Sequence, residues 1–330
     1  MGFGEIPRHI FRLSTGRDDI EVVAISEIGK PEILHYLVNA EVKRKIDVGL
    51  EGNFLVSKNG KARMVRGVEP GDVPWDMFDV DFVVDGTWKY RKKADMEKHL
   101  KSGAKRVILS SLPDDEIDRI VVKGVNEDMM MKADKLISPG SATINATALM
   151  LKILDQHFGL DYAMLTTVHS YTSDQPLRDK AGDDYRRSRS AAENIIPIET
   201  PTPKWIGHVC PEFKGLVEGS AINVPVPNGS LLDMSSVLKT SDFTLDDIHE
   251  AVRKKADELP EIVKVIEDPI VSSDVIGLTY SMVYDKIATM RSASKMVKTL
   301  TWYHAALAMA ARIIDVIVEY HKLDEKGGSK

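Results

Sequence analysis

The sequence predicts an α/β protein of two domains, the first built on a parallel sheet covered by helices and the second on a largely antiparallel sheet. Three observations carry this reading. The chain has 330 residues, 43% of them hydrophobic, and exceeds the length at which a single core usually stops growing. Up to about residue 150, short apolar runs alternate with segments of helical period, the pattern of a parallel sheet with crossover helices. Beyond residue 150 the texture changes to longer strand-like runs, which imply a separate sheet.

Taken in order, residues 5–14 read as a helix, "DIEVVAIS" (19–26) as a strand ending near an acid, and "PEILHYLVNAEV" (31–42) as an amphipathic helix. "VDFVVDGT" (80–87) reads as a buried strand, "RKKADMEKHLKSGA" (91–104) as a helix closed by Gly103, and "KRVILSS" (105–111) as a further strand. In the second half, "AMLTTVHSYT" (163–172), "GSAINVPVP" (219–227), "GLTYSMVYD" (277–285) and "KMVKTLTWY" (295–303) read as strands. Thr244 followed by Asp247 has the spacing of a capping box and opens a helix running toward Leu259. The last long helix, His304 to Tyr320, is apolar nearly all round its first turns and is expected to be well buried. No internal repeat is found, and the terminal "DEKGGSK" has the composition of a disordered tail.

Composition excludes several classes of function. The longest apolar stretches, such as Val107 to Leu109 and Ile313 to Ile314 with Val316 to Val318, fall far short of the roughly 20 residues of a membrane span. The opening "MGFGEIPRHIF" lacks the features of a secretory signal, and Ile6 breaks the myristoylation pattern, so a cytoplasmic location is expected. A single cysteine, Cys210, forms neither an internal disulfide nor a multi-thiolate site, and no metal is expected. A net charge of -6 argues against a broad nucleic-acid surface.

Gly2, Gly4 and Arg8 in "GFGEIPR" are similar to a dinucleotide-binding turn, a fragment too short to be specific alone. Five further segments are far more specific: "SATINA" (141–146), "TVHSYTSDQ" (167–175), "YRRSRSAAENIIP" (185–197), "VPVPNGSLLD" (224–233) and "MVKTLTWY" (296–303). In that order they resemble glyceraldehyde-3-phosphate dehydrogenase, and the resemblance covers essentially the whole chain. It implies a Rossmann-type, doubly wound dinucleotide-binding domain over 1–142 and 304–330, with an α+β catalytic-type domain over 143–303. It also implies a tetramer, homomeric or mixed with an active paralogue, because the "YRRSRSAAENIIP" segment is similar to a loop at subunit contacts.

Carried over residue by residue, the resemblance points to losses. Ala142 stands where the family has its cysteine nucleophile, and a methyl group forms neither a thiohemiacetal nor a thioester. Ser141 and Thr143 match positions already hydroxylated in the family, and helix capping explains them more simply than a replacement nucleophile. Cys210, at a position ordinarily apolar, reads as a small packed residue. His169 matches the family's base and still accepts a proton from a bound alcohol or hydrate, unless it is an inherited histidine satisfied by hydrogen bonds. Thr172 and Thr200 match retained phosphate-site hydroxyls, while Asn223 replaces an arginine and removes a fixed charge. Asp174 takes the place of a hydroxyl and either repels a phosphate or points to solvent. Pro201 replaces a glycine and removes a backbone donor.

On the cofactor side, Glu27 aligns with the acid that grips the adenosine ribose, which favours NAD over NADP. Glu5 replaces an arginine and places its own charge in the positive field of a helix N-terminus, and Pro7 replaces a third glycine. Trp88, following Thr87, replaces a glycine, so its indole is expected to fill the cleft or to swing outward. Ala305 replaces an asparagine that orients the nicotinamide amide. The turn "GFG" normally follows the central strand of a nucleotide sheet, and here it is preceded by Met1 alone; either the recorded start is too late or the middle strand is lost. The leading expectation is an impaired relative kept for binding, regulation or assembly. The alternative is an NAD-dependent oxidoreductase acting on an unphosphorylated aldehyde or alcohol with His169 as base. A third reading, nucleic-acid binding through Arg186, Arg187 and Arg189, has a simpler explanation in internal ion pairing.

Overall fold

The computed structural model describes residues 1–40 and 46–326. The chain divides into two compact units, one comprising Met1–Lys123, Glu127–Ser141 and Met309–Lys330, the other Gly124–Asn126 and Ala142–Ala308. No helix of the described residues is long and apolar enough to cross a membrane.

In the first unit α1 (Glu5–Ser14) buries His9, Ile10, Phe11 and Ser14, and the Phe11 ring meets Phe3 edge-on at 6.0 Å. It is followed by β1 (Ala24–Ser26), α2 (Pro31–Asn39), β2 (Gly49–Glu51), β3 (Phe54–Ser57) and β4 (Gly60–Val65). These strands form a sheet in the order β1-β4-β3-β2, in which β1 pairs with β4 in parallel and the others are antiparallel. β5 (Phe82–Asp85), α3 (Lys93–Lys101), β6 (Arg106–Leu109), β7 (Arg119–Ile120) and β8 (Leu136–Ser138) complete the run. Their sheet, ordered β5-β6-β8-β7, is parallel throughout.

The differences from expectation have local causes. The strand expected over 19–26 extends only over 24–26, since beyond β4 its other edge meets a single residue, Gly2. The helix expected over 31–42 is observed over 31–39, and residues 41–42 lie outside the described residues, as do residues 327–330 of the expected tail. The antiparallel β2–β4 segment turns at the two-residue loops Gly52-Asn53 and Lys58-Asn59, which the alternation reading does not register. Gly103 follows α3 at φ +106°, where a Cβ would lie 2.5 Å from the Asp76 nitrogen, so glycine is required there.

The second unit contains α4 (Ala142–Phe158), β9 (Leu160–Ser170), β10 (Ile196–Ile198), α5 (Thr202–Val209), β11 (Val217–Val224) and β12 (Ser230–Leu238). α6 (Leu245–Glu258), β13 (Val263–Ile266), β14 (Met282–Ser292) and β15 (Met296–Tyr303) follow. A seven-stranded sheet runs in the order β10-β11-β9-β12-β15-β14-β13. It is largely antiparallel, with parallel pairs at β11–β9 and β13–β14. α4 packs against α5, α6 and β12. The Thr244 capping box is present, with the hydroxyl accepting from Asp247 N–H at 3.2 Å and the carboxylate accepting from Thr244 N–H at 2.7 Å. β12 has no counterpart among the expected strands, because its inward positions include Ser230 and Ser236 and so break the apolar alternation. The strand expected over 277–285 begins at Met282, after a short helical turn at Ser272–Val275. α7 (Ala305–Glu325) is the last helix, and Ala310, Ile313, Ile314, Val316 and Tyr320 enter the core of the first unit with Ile10, Ile108, Val121 and Ile137.

Candidate functional site

In the second unit the site begins at the N-terminal turn of α4. Ala142 opens the helix and its methyl group is buried, so the position offers no group that titrates or attacks. Thr143 shares a 2.9 Å hydrogen bond with the phenol of Tyr303, a partner on β15 that sequence reasoning did not assign. The Tyr303 ring also meets His169 edge-on at 6.4 Å, so one aromatic side chain joins the helix mouth to the histidine strand. Burial raises the pKa of that phenol, which therefore remains a neutral hydrogen-bonding group at physiological pH.

His169 lies near the end of β9, in register with Asn223 on β11. Its Nδ1 is 2.6 Å from the carbonyl of Ser170, which only accepts; this assigns the proton to Nδ1 and leaves the lone pair on Nε2. Burial lowers the His169 pKa and outweighs the opposing effects of the Ser170 carbonyl and Asp174. The ring is thus held in the neutral form, which a general base requires.

Around His169 the polar residues satisfy one another. The Asn223 amide donates to Gln175 Oε1, which also accepts from Thr172 N–H at 3.2 Å. Asp174 accepts from the Thr172 hydroxyl and pairs with Arg187. Burial pushes the Asp174 carboxyl upward, but Thr172 and Arg187 together outweigh it and hold the group below its ordinary value. Asp174 is exposed to solvent, one of the two outcomes expected for it, and its charge is in addition paired with Arg187. The Gln175 Nε2 is buried without a protein partner and is a donor that a ligand can take up. Thr200 belongs elsewhere: its hydroxyl bonds to Thr202 at 2.9 Å, and it lines a cleft of about 1250 Å³ with Arg186, Arg187, Lys204 and Lys214. Arg189 pairs with Asp179 at 2.9 Å, and Arg186 donates to the Pro197 carbonyl at 3.3 Å. Cys210 is sealed at the end of α5; burial first, and then the charge of Glu212, push its thiol up to about 12.

In the first unit the turn before α1 is built on Gly2, at φ +79°, where a Cβ would come within 3.0 Å of the backbone of Gly86 and Thr87. Gly4 is the exposed N-cap of α1 and has open space around it. Glu27 is held by two backbone amides, Phe3 N–H and Ile28 N–H, each at 2.7 Å. Arg8 donates to the Phe3 carbonyl at 3.0 Å and so buttresses the turn. The open glycine turn and the fixed carboxylate fit the ribose end of an adenine dinucleotide. Glu5, in the first turn of α1, sets a negative charge where the pyrophosphate would meet the helix. Thr87 is committed to Asp85, with its N–H at 2.9 Å and its hydroxyl at 2.6 Å from Oδ1. Trp88 adopts φ +60° and turns its indole outward, half exposed.

Sequence reasoning also missed a buried polar chain in this unit. The Trp75 indole N–H donates to His99 Nδ1 at 3.0 Å, and His99 Nε2 faces Asp85 at 3.3 Å. Burial raises the Asp85 pKa, but His99, the Met1 ammonium and Thr87 together bring it below the ordinary value. Met1, Trp75, Asp85 and His99 come from separate segments, so no local pattern links them.

A Rossmann-type unit and a mixed-sheet unit bearing a strand-end histidine are carried on one chain, which places it in the class of two-domain α/β proteins with a nucleotide-binding fold. The family model for the NAD binding domain of glyceraldehyde 3-phosphate dehydrogenase matches residues 1–93, and that for its C-terminal domain matches residues 141–305. The glyceraldehyde-3-phosphate dehydrogenase of Priestia megaterium is 39% identical over 320 residues, covering 96% of this chain and 95% of the relative. Glyceraldehyde-3-phosphate dehydrogenase 1 of Bacillus subtilis and the Geobacillus stearothermophilus protein are each 39% identical over 321 residues, with the same coverage. This chain belongs to the glyceraldehyde-3-phosphate dehydrogenase family.

Proposed function

We propose that this chain is a family member unable to perform phosphorylating oxidation, and that it acts through binding, regulation or assembly. The observation that carries this reading is the thiol inventory. Position 142, where the family resemblance places the nucleophile, bears a buried methyl group, and the sequence's single cysteine is Cys210, a core residue whose thiol is pushed up to about 12. A thiol of that kind supplies essentially no thiolate at neutral pH. The anion site is altered in the same direction, since Asn223 contributes no charge and Arg187 is neutralised by Asp174. Assembly as a homotetramer or as a mixed tetramer with an active paralogue, in the cytoplasm, completes the proposal.

A second reading is favoured by His169. Its Nδ1 is fixed on Ser170, its lowered pKa keeps it neutral, and Gln175 Nε2 offers a nearby donor. On this reading His169 Nε2 takes the hydroxyl proton of an uncharged alcohol or aldehyde hydrate, whereas Asn223 and Gln175 orient it. NAD, held by the turn of Gly2 and Gly4 and by Glu27, supplies the hydride acceptor when bound.

Calorimetric titration with NAD, NADH and NADP, followed by turnover assays with phosphorylated and unphosphorylated aldehydes, separates the readings. The first expects no acyl phosphate from glyceraldehyde 3-phosphate. Formation of that product at a rate typical of the relatives overturns it. The second expects NAD binding and a turnover that is lost in His169→Asn. The Ala142→Cys variant is expected to gain a thiol that alkylates at pH 7 much faster than Cys210, because it lies at a helix N-terminus. Its phosphorylating activity should remain weak while Asn223 stays in place, and co-purification with a paralogue tests mixed assembly.

A further inference from the structure

The sequence contains two Asn-Gly pairs, Asn59-Gly60 and Asn228-Gly229, the second within the "VPVPNGSLLD" segment. Such a pair is reactive, because glycine has no side chain to shield its nitrogen from the asparagine carboxamide. The fold treats the two oppositely. Asn59 Nδ2 donates to the Ser14 carbonyl at 2.8 Å and to the Arg17 carbonyl, and Gly60 is paired with Ser57 in the β3–β4 hairpin. Asn228 stands in the loop between β11 and β12, half-buried and open to water. Among the described residues, neither its carboxamide nor the Gly229 N–H makes a hydrogen bond. Cyclisation needs the Asn228 side chain to turn toward the Gly229 nitrogen, and no such bond opposes the turn. Packing also keeps glycine in place: Gly229 adopts φ +88°, and a Cβ on it would collide with the Ser272 carbonyl.

The loop is tied to the histidine strand on both sides of Asn228. Tyr171 N–H donates to the Val226 carbonyl at 3.1 Å, and Ser170 N–H donates to the Ser230 hydroxyl at 3.2 Å. Ser170 in turn supplies the carbonyl that fixes His169 Nδ1. Only Pro227, Asn228 and Gly229 separate the anchors at Val226 and Ser230, so a change of main-chain length there is felt at both.

We propose that Asn228 is a site of spontaneous deamidation, and that its isoaspartyl product loosens the hold on the strand end that carries His169. The Gly229 nitrogen gives its proton to solvent base and attacks Asn228 Cγ. An N–Cγ bond forms, the Cγ–Nδ2 bond breaks, and the amide nitrogen leaves as ammonia with a proton from water. Water then opens the resulting succinimide. Hydrolysis at the Cγ carbonyl gives aspartate, and hydrolysis at the main-chain carbonyl gives isoaspartate, whose main chain runs through Cβ and Cγ and is longer by a methylene. The net change is the exchange of an amide for a carboxylate, with water consumed, ammonia released and no electron transferred.

In the test the full chain is aged at mildly alkaline pH, folded and in urea, and its peptides are mapped by mass spectrometry, with isoaspartate read by enzymatic methylation. The folded protein is expected to convert several-fold faster at Asn228 than at Asn59, and the unfolded chain to lose that difference. As isoaspartate accumulates, amide exchange at Tyr171 is expected to quicken. Asn228→Gln keeps the carboxamide, cyclises far more slowly and should hold the slow exchange. Equal rates at the two pairs in the folded chain, faster conversion at Asn59, or a difference that persists in urea overturns the proposal. Isoaspartate at Asn228 with unchanged exchange at Tyr171 overturns its link to the histidine strand.

Discussion

The sheet of the second unit runs unbroken through seven strands, whereas the strands of the first unit divide between two sheets of four. On the unbroken sheet Leu165 and Met234 are completely buried at its centre; at the divided one Val23 and Val84 keep contact with solvent. Backbone pairing on both edges and burial on both faces therefore go together, and where one is interrupted the other weakens. The two units also treat buried polar groups differently. The first encloses a charged carboxylate, Asp85, behind His99 and Trp75, while the second places neutral amides and a half-exposed ion pair around His169.

The largest effect separating the units is expected at His99. In His99→Ala the Asp85 carboxylate loses the Nε2–H of a neutral imidazole, and leaving a buried charged acceptor without that donor costs more than the roughly 1–3 kcal/mol of a neutral one. Urea unfolding of the variant, followed by circular dichroism, measures the loss, and a change below about 1 kcal/mol would show that Asp85 does not depend on His99.

Next comes the contrast between the unbroken and the divided sheet. Leu165→Ala should cost about 2–5 kcal/mol as a buried truncation. Val84→Ala should cost clearly less, because a half-buried valine has less transfer free energy to lose. Equal losses in parallel unfolding curves would erase the distinction between the sheets.

The smallest effect is expected at Arg187. The Asp174–Arg187 pair is partly exposed, and Arg187→Ala should change stability by no more than about 1 kcal/mol. Its signature lies in pH. The folded Asp174 has a pKa below its ordinary 3.8, so the stabilisation is present above that value and is lost as pH falls through the lowered one. Without Arg187 the loss should move to higher pH, and unchanged acid unfolding would mean that the pair contributes nothing.

Some of this was legible residue by residue. Residues 5–14 carry their helix in the spacing of Ile10, Phe11 and Ser14, and the cap at Thr244 needs only Asp247 three positions on. The approximate positions of His169, Asn223 and Thr172 followed from motif resemblance. Their environment did not. That Asp174 is answered by Arg187, and Asn223 by Gln175, depends on how a loop returns to a strand end. β12 is hard to read in the sequence because inward serines imitate polar surface positions, and the loops Gly52-Asn53 and Lys58-Asn59 lie between strands too short to show a period.

By itself the sequence determined the class of fold, the family, the identity of the side chain at position 142 and the starts of individual helices. These rest on periodicity, ordered motifs and hydrogen bonds between residues a few positions apart, all of which are properties of a local stretch. Only the tertiary structure decided the tautomer of His169, the neutralisation of Asp174 and the enclosure of Asp85. Each depends on groups far apart in the chain, and burial changes their charge and bonding only once folding has removed water from between them.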